Sequence, residues 1–119
     1  MSDALSKVCS MPNDFMTSAN KSMVQLLKDS GYMWHKDEVT QDEIIKFLKA
    51  HPDHTESWEG YSADKRSSTG WYLLREGNIW TVGYFNIGGK EREQRFNSSF
   101  EACAVFILNE LEELAKNTS

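Results

Sequence analysis

Two histidines and an aspartate fall within four residues, His51-Pro52-Asp53-His54, the stretch best supplied with groups that could ligate a metal or move a proton. Zinc needs three or four converging ligands, drawn mainly from thiolate and imidazole. His35 is the one further histidine, and neither Cys9 nor Cys103 is spaced to help. Pro52 also breaks any helix that would align the pair. No metal and no cofactor are therefore expected, and the segment reads as a solvated loop after a helix. The same histidines with Asp53, Glu56 or Glu59 could serve acid–base chemistry in a small hydrolase or RNA-modifying enzyme. Such work needs a pocket that positions and perturbs the groups, and polar loop composition gives no sign of one. No G-x-S-x-G, phosphate-cradling glycine loop or recognisable nucleophilic cysteine motif occurs. The expectation is a protein with no catalytic residue of its own that works by binding; the alternatives are a small hydrolase or RNA-modifying enzyme using His51–His54, or an adaptor or regulatory subunit.

The richer signal begins where that motif ends. Residues Asp53 to Asp64 carry the acids Asp53, Glu56, Glu59 and Asp64, no Lys or Arg, and the aromatics Trp58 and Tyr61. Aromatic rings supply contact area at protein interfaces, and carboxylates pair with Arg or Lys. An acidic-aromatic loop suits a basic protein surface, such as a cleft that normally holds a phosphate backbone. Glu56, Trp58, Glu59, Tyr61 and Asp64 are the expected partner contacts. The competing reading is that Trp58 and Tyr61 pin a long loop to the core while the acids keep it soluble. Trp71, Trp80, Tyr84 and Phe85 could offer a base-stacking platform, but without a basic surround they read as core and sheet-face packing. Gly88-Gly89-Lys90 precedes a strand rather than a helix N-terminus, so it reads as a turn and not a phosphate loop.

These groups need elements to position them. Residues 1–12 show no clear period and are expected to form a flexible arm. From Asn13 or Asp14, Phe15, Ala19, Met23, Leu26 and Leu27 recur at helical spacing, and Gly31 supplies a stop. Thr40 and Glu43 have capping-box spacing, Ile44, Ile45, Phe47 and Leu48 form the buried stripe, and Pro52 ends this helix near His51. After Gly70 the period becomes two. Trp71–Glu76, Ile79–Ile87 and Lys90–Phe96 are predicted strands joined by Gly77-Asn78 and Gly88-Gly89 turns, an antiparallel meander. The second strand has β-formers on both faces and should lie at the centre, Gly83 leaving room for a close neighbour. The third alternates charge and should be an edge. Ser98 and Glu101 cap a last helix whose inner stripe is Phe100, Cys103, Phe106, Ile107, Leu111 and Leu114, with Glu110, Glu112 and Glu113 outside. The expected class is α+β: N-terminal helices, a three-stranded antiparallel meander and a C-terminal helix packed on the sheet.

At 119 residues the chain fits one domain, 1–119. Its net charge of −5 disfavours nucleic acid and anionic membrane and favours a basic partner. No apolar run reaches the roughly 20 residues of a membrane-spanning helix. Met1-Ser2-Asp3-Ala4 carries acid rather than the basic and apolar blocks of a secretory signal. Only two cysteines are present, so free thiols in a reducing cytoplasm are expected, Cys103 buried and Cys9 near a mobile terminus. Oligomeric state is left open.

One further pattern stands out in the C-terminal half. Gly70-Trp71-Tyr72-Leu73-Leu74, a Gly-Asn turn, Trp80-Thr81-Val82-Gly83-Tyr84-Phe85, Arg95-Phe96-Asn97-Ser98 and Glu101-Ala102-Cys103 follow one another over residues 70 to 111. The sequence resembles small immunity proteins of bacterial contact-dependent growth inhibition and related polymorphic toxin systems. That resemblance implies an antitoxin that binds and neutralises a cognate toxin domain, a nuclease in the expected case, by covering its active site or substrate path. It assigns no binding residue.

Overall fold

The computed structural model describes residues 3–17, 22–65, 70–86 and 88–116. Helices α1 (Asp3–Cys9) and α2 (Met11–Thr17) form where an arm is expected, which corrects that reading for residues 3–12. The reason lies in the spacing: Ala4, Leu5, Val8 and Cys9 recur at i, i+1, i+4 and i+5, one face of a helix. Those four and Met11 are buried in the core. The single helix expected from Asn13 to Gly31 is divided. Helix α3 (Met23–Ser30) begins afresh, because the Ser22 hydroxyl accepts the Gln25 backbone N–H at 3.1 Å. Ala19 lies outside the described residues, and Phe15 is exposed. Gly31 ends α3 in the left-handed region (φ +83°), its N–H donating to the Lys28 carbonyl.

Two short 3-10 turns, Tyr32–Trp34 and Lys36–Glu38, lead to helix α4 (Gln41–Ala50). Thr40 caps α4 by accepting the Glu43 N–H, and Pro52 stops it one residue beyond His51, as the spacing requires. Ile44, Phe47 and Leu48 are its buried face. Helix α5 (Asp53–Lys65) follows at once where a loop is expected.

The sheet matches the sequence reading closely. Strands β1 (Gly70–Glu76), β2 (Ile79–Asn86) and β3 (Gly89–Phe96) run antiparallel in the order β1-β2-β3. Ile87 lies outside the described residues. The register pairs Trp71 with Tyr84, Leu73 with Val82 and Trp80 with Phe96, which places these six side chains on one face. Helix α6 (Ser99–Lys116), capped by Ser98, packs there with Phe106, Ile107 and Leu111 fully buried. One expectation on α6 fails: Glu110 is buried. Between Val82 and Tyr84 the register slips, so Arg92 and Glu93 together face Gly83 in a β-bulge. Arg92 takes φ +56° there, the one non-glycine left-handed residue among those described.

Candidate functional site

Every expected contact between Asp53 and Asp64 lies on α5, and the helix sorts them into inner and outer faces. Thr55, Trp58 and Ser62, at i, i+3 and i+7, turn inward and are buried. Trp58 has no accessible surface; its indole donates to the Cys9 carbonyl at 3.0 Å and its ring meets Tyr61 and Phe106 edge-on. The Tyr61 hydroxyl donates to the buried Glu110 carboxylate, and burial followed by that charge raises its pKa far above the usual tyrosine value. Glu59 is half-buried and accepts the Trp80 indole N–H at 3.2 Å. Glu56 points to solvent. Asp64 belongs to α5, with its side chain outside the described part of the structure. Trp58, Tyr61 and Glu59 are thus tied to the core and the sheet, and among the described side chains the acids this stretch leaves exposed are Asp53 and Glu56.

The histidines are likewise not on a loop. His51 caps the C-terminus of α4 and His54 lies in the first turn of α5, forming a tilted ring cluster with Phe47. His54 Nε2 lies 3.2 Å from Ser10 Oγ, and its Nδ1 lies 3.4 Å from Asp53 Oδ2 without a well-formed hydrogen bond. The connectivity is that of a Ser-His-Asp triad. Its proton inventory is different. Ser10 Oγ already donates to the Ser6 carbonyl at 2.9 Å, so it is placed to accept from His54 rather than be deprotonated by it. Asp53 is exposed, so its carboxylate orients the imidazole weakly. What the cluster does in this arrangement is clasp α5 to the α1–α2 corner, supported by a Ser57–Asn13 hydrogen bond of 2.8 Å. Among the described residues no group of three or more His, Cys, Asp or Glu could hold a metal.

Exposed carboxylates without a cation partner among the described residues are spread along the chain, Glu76, Glu91, Glu101 and Glu112 in the sheet and α6 as well as three before β1. Asp37, Asp42 and Glu56 are exposed and have no cation within ion-pair distance among the described residues, whereas Glu38 is held by His35 at 2.5 Å and Glu43 by Lys46 at 3.6 Å. Within the same stretch stands Trp34, 86% exposed. Sequence reasoning missed it, although a signal was present: in Trp34-His35-Lys36-Asp37-Glu38 the indole is followed by four consecutive titratable residues. Cys9 is buried beside Trp58 instead of lying on a mobile terminus, and burial pushes its thiol up to about 12; the Cys103 thiol is raised by burial as well, and both are free. No helix among the described residues is long and apolar enough to cross a membrane. Comparison of the chain with protein-family models, curated proteins and solved structures finds no match.

Proposed function

We propose that the chain is a toxin-neutralising immunity protein that works by binding, without chemistry of its own. It docks on the basic substrate-binding face of a nuclease toxin domain in the cytoplasm and blocks access to it. The observation that carries this reading is the number of unpaired, solvent-facing carboxylates, Asp37, Asp42 and Glu56 together with Glu76, Glu91, Glu101 and Glu112, within a net charge of −5. Carboxylates not spent on internal ion pairs are available to Arg and Lys of a partner, and they speed encounter with a positive surface. The resemblance over residues 70 to 111 supports a toxin domain as the class of partner, and the acids support a basic one. Co-expression with the product of the adjacent gene, as the candidate toxin, tests the reading. The two chains should co-purify, and the toxin's growth defect should vanish. Association should slow about tenfold when Asp37 and Glu56 are both changed to Lys, with a flatter salt dependence. Absence of both co-purification and rescue would sink the proposal.

A second reading rests on one observation, the Ser10–His54–Asp53 connectivity. It makes the chain a small hydrolase with Ser10 as nucleophile. Its discriminating measurement is hydrolysis of an activated ester such as p-nitrophenyl acetate, compared with Ser10→Ala and His54→Ala. The binding reading expects the same background rate from all three proteins; a rate lost in both variants would favour the hydrolase.

A further inference from the structure

Trp34 is 86% exposed, although an aromatic side chain of its kind buries roughly 150–250 Å² when packed. Its indole N–H and ring have no hydrogen-bond or ring partner among the described residues. The side chain therefore contributes nothing visible to the fold. Its backbone, by contrast, is firmly set. Tyr32 before it and Val39 after it are buried. The Ser30 hydroxyl accepts the Tyr32 N–H at 3.1 Å and donates to the Leu27 carbonyl at 2.6 Å. From Trp34 to Val39 the chain is held by bonds to the third residue back, Trp34 to Gly31, His35 to Tyr32, Glu38 to His35 and Val39 to Lys36, each between 3.0 and 3.2 Å. An aromatic ring is thus held out into water on a pre-ordered support, so little conformational freedom remains to be lost when something covers it.

Its surroundings indicate what that is. Met33 is partly exposed beside it, and Asp37, Glu38 and Asp42 follow within eight residues; the intervening Lys36 lies over the Tyr32 ring, 5.8 Å from its centre. An indole among carboxylates matches arginine, whose guanidinium stacks on an aromatic face while its N–H groups reach acids. We infer that Trp34 is the anchor of the docking surface and that its occupant is an arginine-bearing patch of a basic protein, which seats a guanidinium against the indole. This rests on the binding role proposed above and names the surface that serves it.

The test uses the full chain and the product of the adjacent gene as the candidate toxin domain. Trp34→Ala should leave the melting temperature unchanged, since the ring touches no core, and weaken binding by 100-fold or more. Trp34→Tyr should recover part of the loss, because a smaller aromatic face still stacks. If Trp34→Ala changes affinity less than threefold while wild type binds, the anchor is refuted and the immunity reading stands. Self-association of the isolated chain that disappears in Trp34→Ala would make the occupant a second copy and overturn the inference. If wild type binds no toxin domain, the immunity reading falls, and a nona-arginine peptide decides the inference alone. A shift of the Trp34 indole N–H resonance with nona-arginine, larger than with nona-lysine, supports it; no shift overturns it.

Discussion

Gly83 shows how one missing side chain organises a sheet face. It lies opposite Tyr72 in the register, and a Cβ built on it would stand 2.5 Å from the Tyr72 hydroxyl and 2.8 Å from Cζ. The ring lies across the glycine because its hydroxyl donates to Glu93 on β3 at 2.7 Å, so one side chain spans all three strands. A methyl group there forces the ring off that bond. Gly83→Ala should destabilise the protein by about 2 kcal/mol, within the range for overpacking a tight site. In a Tyr72→Val background the same change should cost little, which a double-mutant cycle in urea would measure. Equal costs in both backgrounds would mean that the ring is not what excludes the side chain. Close approach at Gly83 was legible in the sequence, from a glycine inside a run of β-formers; which neighbour approaches was not, since that depends on register. Trp58 and Trp34 show the opposite limit. From the sequence Trp58 reads as a contact and Trp34 is passed over, and only the fold separates the buried one from the exposed one.

At the scale of elements, legibility tracked how long and how apolar the inward stripe is; α1 buries Ala4, Leu5, Val8 and Cys9 but is only seven residues long, and it was missed. Strands β1 and β2 and helix α6 bury Leu73, Val82, Phe106, Ile107 and Leu111 at a clear period, and β3 shows alternating charge between glycine turns, so all four were readable almost to the residue. Helix α5 buries Thr55, Trp58 and Ser62, so two of its three inward side chains are small and polar and the helical period vanishes from hydrophobicity. The acids on its outer face then dominate the sequence, and the segment passes for a binding loop. Ser62 has a structural use that polarity suits. Its hydroxyl accepts the Leu73 N–H at 2.6 Å and donates to the Leu73 carbonyl at 3.0 Å, two β1 backbone groups that face away from β2. Helix α5 thereby covers a sheet edge that would otherwise offer itself for pairing. Ser62→Ala should cost about 2 kcal/mol, because it strands a buried donor and a buried acceptor together. Chemical denaturation would measure the loss, and amide exchange at Leu73 should rise well beyond that of its β1 neighbours. A loss below 0.5 kcal/mol, roughly the scatter of surface substitutions, would show that water replaces the hydroxyl and that the edge is not sealed. The free edge at β3 is managed differently, by a row of exposed charges and by the bulge at Arg92.

Across the whole molecule, the two ends of the chain meet in one core. Cys9 of α1, Trp58 and Tyr61 of α5 and Cys103 and Phe106 of α6 belong to a single packed cluster, so the first helix is not an accessory. This gives the protein a distinctive response to alkali. Burial holds the Cys9 thiol protonated up to about 12 against an ordinary 9.0, and burial likewise raises Cys103, Tyr61 and Tyr72. For each, the folded chain keeps a proton that the unfolded chain releases sooner. Their contribution is complete below the unfolded value and declines as pH rises through the interval toward the folded one. The melting temperature should therefore be level with respect to these groups near pH 7 to 8 and fall progressively from pH 9 upward. Replacing both cysteines with Ala should flatten the first part of that fall, between about pH 9 and 10, where free thiols titrate before tyrosines. The same burial predicts the chemistry of the thiols, since a thiol reacts as its thiolate. At pH 8 a disulfide reagent should label neither cysteine of the native protein within minutes and both in denaturant. Rapid labelling of one thiol under native conditions would place α1 off the core, and with it the corner that Ser10 and His54 clasp.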